Sequence, residues 1–581
     1  MLQTPFRGLV LGLIITLWPF CMQAQDVEQV AKAPLLVGNG GISISQIGQF
    51  SPDSLARITP YSYYLSGNLN FSILGVVDVP MSMAYTNNQT TANLTVPFNR
   101  FSLSPSYKWI RTHMGYSAMS FSPYTLSGHE FFGGGVELSP GDKIEVAAMY
   151  GRLRRAVEAD SLGMDAAYRR VGGAFKVGYR ADKFEVSINM LKGRDDKQSL
   201  LFSERDSNYI APQENIAGSI ALSWRLKHNI SVQGEYGLSA VNRDISASDS
   251  LNNGLADQLF SSHGDVAVYH AFKTSVSQSS TLGQVGATYE RIAPNYTTFG
   301  AYYYTNDFEN ITINMASSLI KWLHWSLDAG YQRDNLESQK VNTSKRAIYS
   351  ANATSAITRK LALGLNYSNV QSHVHIRDIY RDINQTNEFQ NLDTLNFTQL
   401  NMSASANLNY ALRSSKTQRQ NFNVGFTYQE ASEEQSDEKK YLGNRITNTM
   451  LAYQFSLIPT RLNVATGINH NQNKTRESNM QVVSYNLSVQ KTMWENFKTA
   501  LIATYSNSFN QDGNFANVVN VRMTAGYRLK KRHNFNLSLA MLDNKSVSRH
   551  IRQYSANLNY NYIFNFNLDR KNKKTQFKGN F

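Results

Sequence analysis

The sequence of 581 residues predicts an all-β transmembrane protein, an antiparallel up-and-down β-barrel of about 24 strands, within a range of about 22 to 26. Three observations predict this class: long segments in which apolar and polar residues alternate, short and long connections that alternate along the chain, and a composition rich in aromatic residues. Aromatic residues make up 12% of the chain and charged residues only 17%. This composition suits a sheet with one apolar face and one uncharged polar face.

The clearest alternation lies at residues 554–568, where aromatic and aliphatic residues at even positions alternate mainly with Asn and Ser at odd positions. Similar patterns recur at 184–190, 219–226, 402–413, 483–490 and 534–541. Strands of soluble proteins usually have about 5–6 residues, whereas transmembrane strands need about 9–11. A soluble β-propeller or β-solenoid is the alternative, but neither requires an apolar outward face on every strand.

The connections between these segments differ in length in a regular way. Tight connections at 180–182, 227–229, 459–460, 494–496 and 530–532 alternate with long polar ones at about 193–214, 243–265, 374–397 and 433–445. Outer-membrane barrels have short periplasmic turns and longer extracellular loops. We therefore expect both termini in the periplasm. We also expect residues 292–310 to form a single outer loop.

Residues 1–24 predict a cleaved secretory signal peptide, with an uncleaved anchor helix as the alternative. Arg7 supplies a positive charge, the apolar run at 9–20 is shorter than a membrane span, and Ala24 is a small residue before the cleavage point. Cys21 is the only cysteine. We therefore expect neither a disulfide nor a thiolate metal site in the mature chain.

The remaining chain divides into three predicted parts. Residues 25–60 form a periplasmic or partly lumenal N-terminal segment, residues 61–568 form the barrel, and residues 569–581 form a basic periplasmic tail. Known transporter barrels of about 22 strands are plugged, so a lumen of this size must be sealed. Because residues 25–60 are too few for a full plug domain, we expect the chain's own segments or a partner protein to seal it.

The formal net charge of +14 predicts anionic partners. Outer-membrane lipid, the phosphates of lipopolysaccharide and a periplasmic or surface protein are the expected partners, and nucleic acid is not. The residues selected as candidate lumen or partner contacts are Arg100, Lys108, Trp109, Arg111, Arg152, Lys176 and Arg180. The first four lie in a proline-containing segment, 97–129, which is interpreted as a lumenal constriction, a docking surface or simply bulged strands. Ordinary lumen and rim charges are the alternative for the others.

Signals for catalysis and metal binding are weak. The sequence contains no GxSxG, HExxH or P-loop motif, so we expect neither an enzyme nor a bound cofactor. His373 and His375, followed by Asp378, are too few to predict a metal site. The acidic loop at 243–265 lacks the glycine-centred spacing of a calcium loop.

Five segments carry a family resemblance: 60–68 (PYSYYLSGN), 97–109 (PFNRFSLSPSYKW), 121–129 (FSPYTLSGH), 148–152 (AMYGR) and 289–296 (YERIAPNY). Together they resemble an outer-membrane β-barrel family of the phylum Bacteroidota. The resemblance extends over most of the mature chain, although its motifs cluster in the first half. It implies the barrel fold and an outer-membrane location, and no activity or functional residues.

The expected function is that of a non-enzymatic channel or conduit for a solute or a polypeptide. The alternative is a structural or assembly subunit of a secretion, adhesin-display or barrel-assembly complex. A third hypothesis, a lipid-active enzyme, would require a Ser–His pair near the outer rim.

Overall fold

The computed structural model describes residues 33–52, 60–87, 99–158, 166–200, 210–246, 266–302, 304–339, 343, 345–369, 372–374, 398–400, 402–433, 441–475, 478–511, 513–547 and 549–568. In chain order the strands are β1 (Leu36–Phe50), β2 (Tyr61–Ile73), β3 (Val77–Thr86), β4 (Arg100–Leu103), β5 (Ser106–Tyr107), β6 (Ile110–Ser120), β7 (Ser127–Leu138), β8 (Ile144–Arg154), β9 (Arg170–Arg180), β10 (Phe184–Asp195), β11 (Glu214–Arg225), β12 (Ile230–Asn242), β13 (Val266–Ser280), β14 (Gly283–Ile292), β15 (Phe308–Ser317), β16 (Leu323–Asp334), β17 (Lys345–Ser355), β18 (Leu361–Ser368), β19 (Ser372–Val374), β20 (Thr398–Leu400), β21 (Met402–Ser414), β22 (Gln418–Glu433), β23 (Tyr441–Leu457), β24 (Leu462–Thr475), β25 (Asn479–Trp494), β26 (Phe497–Asn510), β27 (Gly513–Leu529), β28 (His533–Ser546) and β29 (His550–Leu568). Short 3-10 turns lie at Lys197–Ser199 and Lys227–Asn229. In the described part of the chain, no helix has the length and apolar character needed to cross a membrane.

The strands form one closed antiparallel barrel. β1 pairs with β2 on one side and with β29 on the other, so the two ends of the sheet meet. The sheet contains 27 strand segments, but β4 and β5 both pair with β3 and with β6 and therefore share one position, which gives a 26-stranded barrel. This number lies at the upper limit of the predicted range. β19 and β20 pair only with each other, in the connection between β18 and β21.

Proline explains the break between β4 and β5. Pro105 stands between them and has no N–H to donate to a neighbouring strand. Its carbonyl accepts a hydrogen bond from the N–H of Thr112 (2.8 Å), while the N–H of Ser104 donates to the carbonyl of Pro80 (2.9 Å). The sheet therefore continues across the break in the same register, because Leu103 lies opposite Met81 and Ser106 lies opposite Asp78.

The barrel begins earlier than the sequence predicts. β1 lies inside residues 25–60, the segment expected to be periplasmic or lumenal, and it is a full wall strand paired from Leu36↔Leu568 to Phe50↔Tyr554. Its sequence, rich in Gly, Ser and Gln, alternates too weakly to be recognised without its partners. Gly40 shows how closely they approach, because a Cβ there would lie 2.4 Å from the carbonyl oxygen of Asn68.

The two ends of the barrel differ in their connections. At one end, which we call the turn end, the connections have two to five residues. Leu36, the first residue of β1, and Leu568, the last residue of β29, lie at this end. At the other, the loop end, most connections are longer, as predicted. The described residues 293–302 and 304–307 belong to a single connection between β14 and β15, so the prediction of one loop at 292–310 is confirmed. The prediction that this loop is an outer one is wrong, because the connection folds back into the lumen.

The two faces of the wall differ in chemistry. On β29, Tyr554 and Leu558 are exposed on the outward face (39% and 44%). On the inward face, Asn559 Nδ2 donates to Ser43 Oγ at 3.3 Å, and polar cross-strand pairs of this kind recur around the lumen. An apolar band outside and a polar lumen inside are typical of a transmembrane barrel.

Candidate functional site in the lumen

Two connections at the loop end fold back into the lumen. One is the short connection between β6 and β7, residues 121–126, and the other joins β14 to β15. They meet side by side in a parallel bridge, Leu126↔Gly300, where the N–H of Ser127 donates to the carbonyl of Gly300 (2.9 Å). We call residues 121–126, 293–302 and 304–307 together the lumenal insert.

Apolar packing holds the lumenal insert against the wall. Leu126 is fully buried and Phe299 is 5% exposed. Gly193 on β10 makes room for the ring of Phe299, because a Cβ there would meet the ring at 3.0 Å. The buried cluster consists of Met119, Leu126, Phe131, Ala147, Met149, Leu153, Ala174, Leu191 and Phe299. Full burial of one large apolar side chain contributes about 1.5–3 kcal/mol, so this cluster fixes the insert in place.

Close approach between backbones also shapes the insert. A Cβ at Gly300 would lie 2.3 Å from the carbonyl oxygen of Thr125, and a Cβ at Gly237 on β12 would lie 2.7 Å from Cβ of Tyr124. Side chains larger than hydrogen would push the two segments apart or lift Tyr124 from the wall. Glycine at these two positions therefore allows the insert to lie against the wall.

Wall side chains satisfy several polar groups of the insert. The N–H of Phe299 donates to Asn215 Oδ1 (3.0 Å), and Ser239 Oγ donates to the carbonyl of Thr297 (2.6 Å). Ser122 Oγ donates to Glu235 and accepts from Ser219 Oγ. Because buried backbone and hydroxyl groups need partners, these bonds give the irregular segments one conformation.

Three tyrosines form the centre of the insert. Tyr124 and Tyr296 meet edge to face at 6.1 Å, and Tyr296 and Tyr304 lie 4.9 Å apart between ring centroids. Tyr296 donates to the carbonyl of Tyr124 (2.8 Å), and Tyr124 donates to Glu290 (3.3 Å). Burial raises the pKa of all three hydroxyls well above the ordinary tyrosine value, and the charge of Glu235 adds to the effect. The group is therefore neutral at physiological pH.

A buried ionic group lies beside Phe299. Asp195, only 2% exposed, accepts two hydrogen bonds from Arg170 (2.7 and 2.9 Å), and Arg154 lies 3.4 Å away. The guanidinium of Arg170 also stacks on the ring of Phe299 at 3.3 Å from its centroid. Two guanidinium groups thus share one carboxylate, and Arg170 also holds the insert through its cation–π contact with Phe299.

The insert lies on one wall of the lumen. The partners named above belong to strands between β6 and β14, which are roughly a half-circle away from β25 and β26. That facing wall carries small polar pairs, such as Ser484 with Ser506 (2.8 Å) and Asn486 with Thr504 (2.9 Å). The lumenal insert therefore narrows the lumen from one side, and short polar side chains line the opposite side.

The seven residues predicted to contact the lumen or a partner are not gathered into one site. Arg100 and Arg152 lie near the loop end. Arg100 forms an ion pair with Glu130 (2.6 Å). Arg152 donates to the hydroxyl of Tyr116 (2.8 Å) and lies 5.1 Å from the ring centroid of Phe132, which is exposed on the outward face. Arg152 thus points to the lipid side.

Lys176 and Arg180 lie on the lumen face of β9, near the turn end. Lys176 pairs with Glu145 at 2.8 Å, and Arg180 pairs with Glu185 at 3.0 Å. They lie on the face opposite Val177, which is exposed to the outside. Each charge has a local partner, so these residues line the lumen without forming a joint site with the insert.

Lys108, Trp109 and Arg111 lie at the turn end. Lys108 has a positive φ of 51°, and with Trp109 it forms the turn between β5 and β6. Arg111 Nη1 lies 3.7 Å from Glu137. Among the described residues of 97–129, residues 121–126 belong to the lumenal insert, and Pro105 interrupts the wall between β4 and β5. The interpretations as a constriction and as a docking surface stay predictions, whereas the irregular strand at Pro105 is observed.

One serine, one histidine and one acid also approach each other in the lumen. Ser104 Oγ lies 3.2 Å from His113 Nδ1, and His113 Nε2 lies 3.4 Å from Glu137. A hydrolytic role would need backbone donors aimed at a substrate beside the serine. The N–H of Ser104 already donates to Pro80 and that of Thr112 to Pro105. We therefore interpret Ser104, His113 and Glu137 as polar side chains that contact one another on the lumen face of the wall, without a catalytic role.

The aromatic residues of the insert, such as Tyr124, Tyr296 and Phe299, were not identified as site residues from the sequence. The sequence at 292–310 is rich in Tyr and Phe but does not alternate. In a loop, such residues indicate packing against another part of the protein, and this signal could have distinguished an inward-folded loop from an outer loop.

In the part of the chain that the structure describes, no three His, Cys, Asp or Glu side chains gather as metal ligands. Residues 1–24, 569–581, His375 and Asp378 lie outside the described residues.

Comparisons with known proteins give only distant likenesses. No family model and no curated protein matches the chain. Among solved structures, the translocation pore of the P pilus usher PapC shares 10% identity over 90% of this chain and 98% of that one, with a TM-score of 0.35. A mutant of the ferric enterobactin receptor PfeA from Pseudomonas aeruginosa shares 9% identity over 92% and 81%, with a TM-score of 0.40. An anion-selective porin from Comamonas acidovorans shares 12% identity over 52% and 88%, with a TM-score of 0.29. These likenesses concern the barrel fold alone.

Proposed function

We propose that this chain is an outer-membrane channel or conduit for a solute or an extended polypeptide, and that it has no enzymatic activity of its own. The observation that carries the proposal is the one-sided insert within a closed 26-stranded barrel. Barrels of about 16–18 strands already enclose a water channel, so a wider one has room both for the insert and for a path beside it.

The insert acts as a fixed constriction in this proposal. It is held by packing around Phe299 and by side-chain hydrogen bonds from Asn215 and Ser239. A segment with so many satisfied polar groups keeps its position while solutes pass. The path would run between the tyrosine group and the facing wall of short polar side chains. A partner protein that fills this path would complete the seal.

Single-channel recording in planar bilayers tests the proposal. The purified chain should conduct, and a variant in which residues 121–126 and 293–307 are replaced by short Gly–Ser linkers should conduct several-fold better. Phe299→Ala should have a smaller effect in the same direction. The matched control is Tyr150→Ala, because Tyr150 is 69% exposed on the outward face and its removal leaves the lumen unchanged.

The alternative is a structural or assembly subunit whose lumen is closed by a partner. It predicts stable co-purification of that partner from native outer membranes and no conductance by the isolated chain. Absence of conductance in both the wild type and the linker variant, with both folded, would overturn the channel proposal and favour this alternative.

A further inference from the structure

A row of charged residues crosses four neighbouring strands at the loop end. Arg291 on β14 lies opposite Glu309 on β15, Glu309 lies opposite Arg333 on β16, and Arg333 lies opposite Lys345 on β17. Directly opposed residues of antiparallel strands project from the same face of the sheet. We call these four residues the outer basic row.

The outer basic row projects from the lipid-facing side of the barrel. Two residues nearer the turn end on the same face are Ile311 and Tyr331, which are 55% and 46% exposed. Further along that face are Ile313 and Tyr349, and then Trp325 close to the turn end. Apolar and aromatic side chains therefore cover the face below the row.

The position of the row matches the membrane interface. Arg333 and Trp325 lie on the same face of β16, and the separation in sequence corresponds to roughly 26 Å along the strand at about 3.3 Å per residue. With a strand tilt of about 40°, this gives an apolar height of about 20 Å, close to the band of about 25 Å in known barrels. The row thus lies at the level of lipid headgroups.

The charges of the row do not balance. Glu309 is contacted by Arg333 and, at 3.9 Å, by Arg291, and it accepts a hydrogen bond from Tyr289. One carboxylate offsets one of three positive charges. The two arginine side chains remain 47% and 46% exposed. Arg333 and Lys345 also lie directly opposite each other, and opposed like charges are destabilising unless an anion lies between them.

Similar rows recur elsewhere at the loop end. Glu430 on β22 lies opposite Arg445, which lies opposite Lys474. Asp543 on β28 lies opposite Arg552, with a further ion-paired lysine and histidine beside them. Each of these rows has a single acid and more than one basic side chain, so the arrangement recurs at three places on this rim.

We propose that the outer basic row binds the phosphate groups of an anionic lipid in the leaflet at the loop end, as the phosphorylated glycolipids of an outer leaflet would provide. Guanidinium groups bind phosphate oxygens in a bidentate manner, and Tyr331 and Ile311 below them contact the acyl region. Anchoring by the apolar face distinguishes a lipid from free phosphate. This site is on the opposite side of the wall from the lumen and does not depend on conduction.

Retention of lipid by the purified full-length chain tests this site. Detergent-solubilised protein is incubated with lipid A that carries its phosphates or with dephosphorylated lipid A, and bound lipid is counted by native mass spectrometry. The variant Arg291→Gln/Arg333→Gln/Lys345→Gln should retain about tenfold less phosphorylated lipid than the wild type. Glu309→Gln should retain more, because it removes the only negative charge of the row.

The matched control removes three lumen-facing bases, Arg225→Gln/Lys273→Gln/Arg528→Gln, and should leave lipid retention unchanged. Folding of each variant is checked by heat-dependent migration on gels. Equal retention by the wild type and the first triple variant, or equal retention of dephosphorylated lipid, would overturn the proposal. Displacement of the lipid by millimolar inorganic phosphate would overturn the lipid assignment. If the triple variant fails to fold, the Glu309→Gln variant decides instead: lower lipid retention by this variant than by the wild type would overturn the proposal.

Discussion

At the scale of single residues, glycines in the wall decide where the insert can lie. Gly237 faces Tyr124 across a distance that leaves no room for a Cβ, whereas a Cβ at Gly234 on the same strand would meet nothing within 4 Å. Two glycines only three positions apart therefore have different roles. Gly237 faces the lumen, whereas Gly234 faces outward with Tyr236 and Leu238, which are 43% and 41% exposed. Alternation in the sequence indicates the face, but only the tertiary structure places Tyr124 against Gly237.

This pair gives a direct prediction. Gly237→Ala should destabilise the protein by about 1–3 kcal/mol, because the added methyl group overpacks the contact with Tyr124. Gly234→Ala should be neutral or slightly stabilising, since alanine restricts the unfolded chain. Denaturant unfolding followed by heat-dependent gel migration measures both. Equal stability of the two variants would contradict the packing of Tyr124 on the wall.

Asp195 is the second residue whose role depends on burial. It is shared by Arg154 and Arg170, whereas its neighbour Asp196 pairs with Arg169 at the surface, where the arginine is 52% exposed. Asp195→Asn should cost about 3–5 kcal/mol, because it leaves two guanidinium groups without a carboxylate. Asp196→Asn should cost about 0–1 kcal/mol. The same unfolding measurement compares them, and similar losses would show that burial of Asp195 is unimportant.

At the scale of elements, the insert links two connections that are far apart in sequence. Residues 121–126 and the connection between β14 and β15 both contribute to its packing, with Leu126 and Phe299 in one buried cluster and Tyr124 and Tyr296 in another. Their interface is the tyrosine group, in which Tyr296 donates to the carbonyl of Tyr124. The stability of the insert should therefore respond to the ionisation of these tyrosines.

The raised pKa values set the direction of this pH dependence. Folding favours the protonated hydroxyls, so their contribution is fully present below the unfolded tyrosine pKa of about 10 and is lost as the pH rises above it. In an absorbance titration of tyrosinate, Tyr124→Phe/Tyr296→Phe/Tyr304→Phe should remove amplitude only from the late part of the curve. Removal of amplitude near pH 10 would contradict burial of the group.

At the scale of the whole molecule, closure depends on the pairing of β1 with β29. The two strands pair over their full shared length although they lie at opposite ends of the chain, and Ser45 faces Asn559 directly. Closure leaves no exposed edge in the membrane, where unpaired backbone groups would be costly. The weakly patterned β1 is therefore held mainly by its two neighbours.

A disulfide test follows from this closure. In a chain with Ser45→Cys and Asn559→Cys, oxidation should join the two ends, and fragments produced by cleavage in a loop should remain linked until reduction. The control pair Ser45→Cys and Asn565→Cys should not join, because Asn565 pairs with Asn39 further along the strand. Cross-linking of both pairs, or of neither, would contradict the register.

The sequence by itself determined the class of the molecule. Strict alternation such as that of β29 dictates a two-faced strand, and connections of unequal length dictate an up-and-down order with two different ends. Alternation and connection length are both local properties, because they depend only on residues that are close together in the sequence. The barrel class and the approximate number of strands follow from them.

The tertiary structure decided three other features. It showed β1 to be a wall strand, folded the aromatic loop after β14 into the lumen, and aligned Arg291, Glu309, Arg333 and Lys345 across four strands. Each depends on contacts between residues distant in sequence, or on the register between strands. A shift of one residue in register would reverse the face of every side chain, so the row and the insert exist only once the whole barrel has closed.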